Sequence, residues 1–127
     1  MKFIVPGLRY LLGAFLIYAG VNHFTTPDMY APFIPDFLPE AVVNYGTGVL
    51  EILLGLGLFI PATREKAALG IFLLMIAFLP LHVIDVFSES PAIGSREAAY
   101  IRLPFQFLFL LWSWWVWKKT KPAPSRD

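Results

Sequence analysis

The amino-acid sequence predicts an all-α membrane protein, a four-transmembrane-helix bundle with both termini on the cytoplasmic side (N-in/C-in). Three observations predict it. The 127 residues are 57% hydrophobic and 17% aromatic but only 15% charged. Four apolar stretches each approach the roughly 20 residues that cross about 30 Å of hydrocarbon. Lysine and arginine gather at one side of those stretches.

Composition comes first because it excludes most alternatives. A single domain of this length has a large surface for its volume, and too few polar residues here to cover that surface in water. A net charge of +1, with basic residues spread along the chain, leaves no concentrated basic face, so no nucleic-acid partner is expected. The absence of cysteine removes disulfides, thiolate metal sites and a dithiol relay within this chain. The expected partner is the lipid bilayer.

The whole chain, 1–127, reads as one membrane domain with spans at about 6–24, 41–60, 66–84 and 99–117. Pro6 suits a first helical turn, where its missing N–H costs nothing. Arg9 interrupts the first span near its start, Glu51 lies within the second, which ends at Pro61, Pro80 is late in the third, and Arg102 is inside the fourth. Lys2 followed by an apolar run imitates a cleavable signal peptide, but Arg9 breaks that run and no small-x-small cleavage site follows.

Orientation follows from the cytoplasmic excess of lysine and arginine. Lys2 and Arg9 mark the first end, Arg64 and Lys66 the turn between spans two and three, and Lys118, Lys119, Lys121 and Arg126 the tail at 118–127. The other side has Arg96, with Arg102 just inside. Trp112, Trp114, Trp115 and Trp117 at the inner end of span four form an interfacial aromatic belt. The outer loop, 25–40, contains Pro27, Pro32, Pro35 and Pro39, which preclude a regular helix. With Tyr30, Phe33 and Phe37 it reads either as a stiff connector in the headgroup layer or as a lid over a pocket.

At spacings of three and four, each span has one face that gathers its polar and small residues: Arg9, Gly13, Leu16, Gly20, His23; Asn44, Gly48, Glu51, Gly55; Met75, Phe78, His82, Asp85; and Arg102, Gln106, Phe109, Ser113. In lipid these faces turn inward. At about 1.5 Å per residue, His23, His82 and Asp85 lie at the outer rim, Arg102 and Gln106 about one and two turns in, and Glu51 near the bilayer centre. Only Arg9 is toward the cytoplasm, where it can snorkel to headgroups. A charged Glu51 at that depth costs roughly 2.5 to 3.5 kcal/mol on insertion scales, so it is expected to be paired or protonated. Arg102 is the expected partner, within a network of Asn44, Glu51, Arg102 and Gln106 below His23 and His82.

That network admits two readings. It is either a buried ion pair that fixes helix order, or the polar wall of a pocket open to the outer side that takes a small amphipathic molecule. A proton path would need polar groups through the inner half, where Leu16, Gly55 and Met75 offer none. His23 and His82 at similar depth raise haem ligation, but rim histidines beside carboxylates favour hydrogen bonds over haem, and no tight spacing of His23, His82 and Asp85 supports a metal. Phosphate-binding loops, nucleophile elbows and zinc-binding histidine pairs are missing. An enzyme acting alone is therefore not the expectation.

The chain resembles the DoxX-like membrane proteins over nearly its whole length. The resemblance is carried by Gly20 to Phe24 followed by Pro27 (GVNHF..P), by Gly48, Glu51 and Gly55 (GxxExxxG), by Pro61 with Arg64, and by Arg102, Leu103, Pro104 and Gln106 (RLPxQ). It implies a four-helix membrane bundle with His23, Glu51, Arg102 and Gln106 as motif polar positions. His82 is a departure, since members of that family carry Asn near this position. The resemblance further implies an accessory or quinone-associated subunit of a redox system, in the bacterial inner (plasma) membrane, with a redox enzyme subunit as partner. The alternatives are a quinone-linked membrane oxidoreductase, in which Glu51 or His23 exchanges a proton, and a binder or carrier of a small hydrophobic metabolite. Gly13, Gly20, Gly48 and Gly55 suit packing within one chain or in a homo-oligomer.

Overall fold

The computed structural model describes residues 2–89, 91 and 95–122. The end of the predicted tail, 123–127 with Arg126, lies outside the described residues. Four helices run in order: α1 (Ile4–Thr25), α2 (Glu40–Gly57), α3 (Arg64–Phe87) and α4 (Arg96–Thr120). Two 3-10 turns, Pro27–Met29 and Ala31–Phe33, occupy the proline-rich loop, as expected where prolines remove helical donors. Among the described residues there are helices and turns and no strands.

The helix ends differ from the predicted spans for local reasons. α2 stops at Gly57, not at residue 60, because Leu58, Phe59 and Ile60 bond back only three residues and a residue before proline avoids the α conformation. Thr63 Oγ1 adds a second donor to the Gly57 carbonyl at 2.9 Å. α3 runs past both predicted ends and passes through Pro80, which deprives only the Ile76 carbonyl of its donor. α4 begins three residues early because Ser95 caps it, its side chain accepting the Ala98 N–H at 3.3 Å.

α1 packs chiefly on α2, and α3 on α4, giving two hairpins. The first is joined backbone to backbone. A Cβ on Gly20 would meet the Gly48 carbonyl at 2.7 Å, and one on Gly55 would meet the Gly13 carbonyl at 2.7 Å. These reciprocal pairs set α1 and α2 antiparallel at close range and assign the four glycines to packing within the chain. A Cβ on Gly57 would meet the Ala67 Cβ at 2.8 Å, so this glycine lets α3 sit against the end of α2.

The bundle has two unlike ends. Leu12, Leu16, Leu58, Ala68, Ile71 and Val116 form an apolar core toward the end that holds the start of α1, with Trp112, Trp115 and Trp117 packed against it. Arg9 is in this end and is only 6% exposed, its guanidinium 5.3 Å from the Tyr10 ring. The expected outward reach of Arg9 is therefore replaced by burial among helices. Outside, large apolar side chains are bare on every helix: Tyr18 68%, Leu53 61%, Ile84 66% and Leu111 63% exposed.

α1 and α3 are each long and apolar enough to cross a membrane. α2 carries Glu40, Glu51 and several glycines, and α4 owes its apolar character to rings set among Arg102, Gln106 and Ser113. Hydropathy therefore singles out two helices, not four.

Candidate functional site

The polar faces meet at the other end of the bundle, around a cavity of about 370 Å3 between the two hairpins. Its walls are mostly apolar and aromatic, from Phe15, Val43, Met75, Phe78 and Phe109 among others. Of the residues expected at the site, His23, Asn44, Glu51, His82, Arg102 and Gln106 line it. Asp85 does not line it; it is buried and holds Arg102.

The first hairpin supplies a chain of contacts with a definite sense. Asn44 Nδ2 donates to the Pro27 carbonyl at 2.8 Å. A carbonyl can only accept, so the other amide atom, Oδ1, faces His23 Nδ1 at 2.6 Å, and that nitrogen must carry the hydrogen. His23 Nε2 is then directed toward Glu51 Oε2, 3.6 Å away. His23, Asn44 and Glu51 are 5%, 3% and 4% exposed. The glycine pairing explains the convergence: Gly48 lies one turn from both Asn44 and Glu51, and its close approach to Gly20 leaves His23 directly over it.

The second hairpin makes a separate cluster. Arg102 donates to Asp85 Oδ2 at 2.7 Å, and its guanidinium lies 5.7 Å from the Phe33 ring. Gln106 Nε2 donates to the Met75 carbonyl at 2.8 Å. The expected single network is thus corrected to two, with His23 in place of Arg102 as the partner of Glu51. α4 packs on α3, so the rim carboxylate of Asp85 takes the guanidinium first.

The loop closes over this end. Tyr30 stacks on His23 with centroids 3.8 Å apart, and Phe33 lies 5.6 Å from His82. Both rings and Ile34 line the cavity, so the lid reading of the loop describes its inner side. Burial raises the Tyr30 phenol above its ordinary value. On the outer side, Phe37 is 85% exposed.

Sequence reasoning missed Asn22, Thr47 and Tyr18, which also line the cavity. Thr47 was legible, since it sits three and four residues from Asn44 and Glu51 on the same face. Tyr18 and Asn22 are likewise a turn apart on α1, on a face adjacent to the glycine stripe. Both ring nitrogens of His23 are directed at residues of α2, Nδ1 at Asn44 and Nε2 at Glu51. Among the described residues no group of three His, Asp or Glu side chains is arranged for a metal ion.

Comparison with known proteins corrects the resemblance drawn from motifs. The family model that matches, over residues 12–117, is described as a domain of unknown function, DUF8561, and the DoxX-like assignment is not supported. Paired glycines and a polar helix face are what close packing around a pocket demands of any small bundle, so such motifs specify geometry more than ancestry. No curated protein matches, and no solved structure does. With 12–117 spanning most of its length, the chain belongs to the DUF8561 family.

Proposed function

We propose that the chain is a four-span membrane protein with both termini cytoplasmic, whose outer-half cavity binds a small amphipathic molecule. The observation that carries this reading is the cavity: apolar and aromatic walls, polar groups converging from both hairpins, and loop rings across the top. Ligand sites have this composition, with a few placed polar groups fixing an apolar body. The four-span arrangement is supported by bare apolar side chains on all four helices, which would be costly in water and are at home in lipid. Orientation rests on the lysine and arginine bias, and a bacterial inner (plasma) membrane is the location proposed with it.

The accessory redox role and the quinone-linked oxidoreductase entered with the resemblance that the family match replaces. No observation on the chain favours them over other amphipathic ligands. The binder or carrier reading rests on the residues themselves.

Two experiments test the proposal. The natural absence of cysteine makes single-cysteine labelling clean. In intact cells a membrane-impermeant maleimide is expected to label Phe37→Cys and not Thr63→Cys or Lys119→Cys, which label only after permeabilisation; labelling of all three in intact cells overturns the topology. For the ligand, Ala19→Phe places a ring in the cavity. Organic extracts of the purified protein are expected to contain a small molecule that this variant lacks. Identical extracts, in the presence of a folded variant, count against the site, and a quinone in the wild-type extract would restore the redox readings.

A further inference from the structure

Glu51 Oε2 is buried and has no hydrogen-bond partner within the protein. Its nearest polar neighbour, His23 Nε2, is 3.6 Å away, too far for a direct hydrogen bond. Both residues line the cavity. That separation is one that a single oxygen about 2.8 Å from each atom can bridge from beside the line joining them.

The charge balance determines what that oxygen must be. Across the cavity, the positive charge of Arg102 is already matched by Asp85. Other groups around the pair are Asn44 on α2, Tyr30 on the loop, His82 on α3 and Gln106 on α4, none of them a fixed cation. A lone carboxylate at Glu51, 4% exposed, would be an uncompensated buried charge. A charge-neutral pair has one proton between its two facing atoms, as imidazolium with carboxylate or as imidazole with carboxylic acid. His23 Nδ1 cannot supply it, because that hydrogen is directed at Asn44.

With one proton, one facing atom donates and the other accepts. A bridging group must then accept from the first and donate to the second, and a hydroxyl does both. A carbonyl or ether oxygen has no hydrogen to give and leaves one partner unsatisfied. Building on the ligand-pocket reading above, we infer that the cavity selects neutral molecules with a free hydroxyl on an apolar, ring-sized body, alcohols or phenols, whose hydroxyl bridges His23 Nε2 and Glu51 Oε2. The body lies among the aromatic walls, with Tyr30 covering the imidazole.

The test compares para-pentylphenol with its O-methyl ether, which share shape and lipophilicity and differ in the donor. The full chain in phosphatidylcholine nanodiscs is dialysed against each probe, with empty nanodiscs to subtract partitioning into lipid. The phenol is expected to bind at least about tenfold more tightly than the ether. Ala19→Phe is expected to abolish both. Glu51→Gln, which keeps a donor and an acceptor without a charge, retains the preference, while Glu51→Leu, which leaves only the His23 Nε2 lone pair to meet the hydroxyl, reduces it. Equal binding of the two probes, blocked by Ala19→Phe, overturns the hydroxyl requirement and leaves the ligand site standing. A preference undiminished in Glu51→Leu, or lost in Glu51→Gln, overturns the bridge between His23 and Glu51. Absence of binding by either probe removes the inference together with the pocket reading. The probe pair on the unaltered chain decides the matter where a variant does not fold.

Discussion

Gly20→Ala and Gly48→Ala are each expected to destabilise the bundle by about 3 kcal/mol or more, at the upper end of what overpacking costs. The added Cβ on Gly20 would lie 2.7 Å from the Gly48 carbonyl and 2.7 Å from Ile52 Cγ1. On Gly48 it would meet His23 Cβ at 2.7 Å and the Gly20 carbonyl at 2.9 Å. A side chain can turn aside, but a carbonyl held in a helix cannot, so α1 and α2 must separate. Gly7→Ala and Gly46→Ala are the matched controls, since nothing lies within 4 Å of a Cβ at either. In a helix these changes are expected to be neutral or to stabilise by about 0.5 to 1 kcal/mol. Thermal unfolding followed by circular dichroism in a mild detergent separates the two sets; equal behaviour would contradict the close pairing of α1 and α2. Because the same pairing brings His23 over Asn44 and Glu51, folded residues of the damaged variants should also lose probe binding.

Arg102→Leu and Asp85→Leu are each expected to destabilise, by up to about 3 kcal/mol, because either change breaks the ion pair that joins α3 to α4. Asp85 has a side chain 6% exposed and Arg102 one 22% exposed, so solvent relieves the remaining carboxylate less than the remaining guanidinium, and Arg102→Leu should be the worse of the two. The double variant is expected to be milder than the worse single, since it removes both charges together. Unfolding of the four proteins of this cycle measures the coupling. A parallel cycle between Glu51 and Arg102 should give a smaller coupling, as Glu51 has His23 as its ion-pair partner. A larger coupling in the second cycle would mean that Glu51 and Arg102 form the pair instead.

Much of the fold was legible in the chain. The glycine and polar residues at three- and four-residue spacings located the inward faces of α1 and α2, and the structure buries Gly13, Gly20, His23, Asn44, Gly48, Glu51 and Gly55 there. The same spacing on α4 located Gln106 and Ser113. Pro27, Pro32, Pro35 and Pro39 announced a loop without regular helix. These features are local, since a helical period or a missing N–H acts within a few residues of itself. Motif likeness was a poorer guide, and it suggested a family to which the chain was not matched.

The division of the polar groups into two clusters was not legible. Periodicity says which residues share a face of one helix, but not which helix that face meets. By formal charge and reach, Glu51 and Arg102 were an equally sound pair; helix pairing decided otherwise, because α1 lies on α2 and α4 on α3. The contact of Tyr30 with His23 and of Phe33 with His82 also depends on where a loop without a repeating pattern folds back. From the sequence alone came an all-helical chain with a polar and an apolar end, because composition and period are properties of single segments. The tertiary structure alone decided that the polar end is a roofed cavity with a histidine and a glutamate facing each other 3.6 Å apart, because that distance is set by glycine carbonyls in contact between two helices.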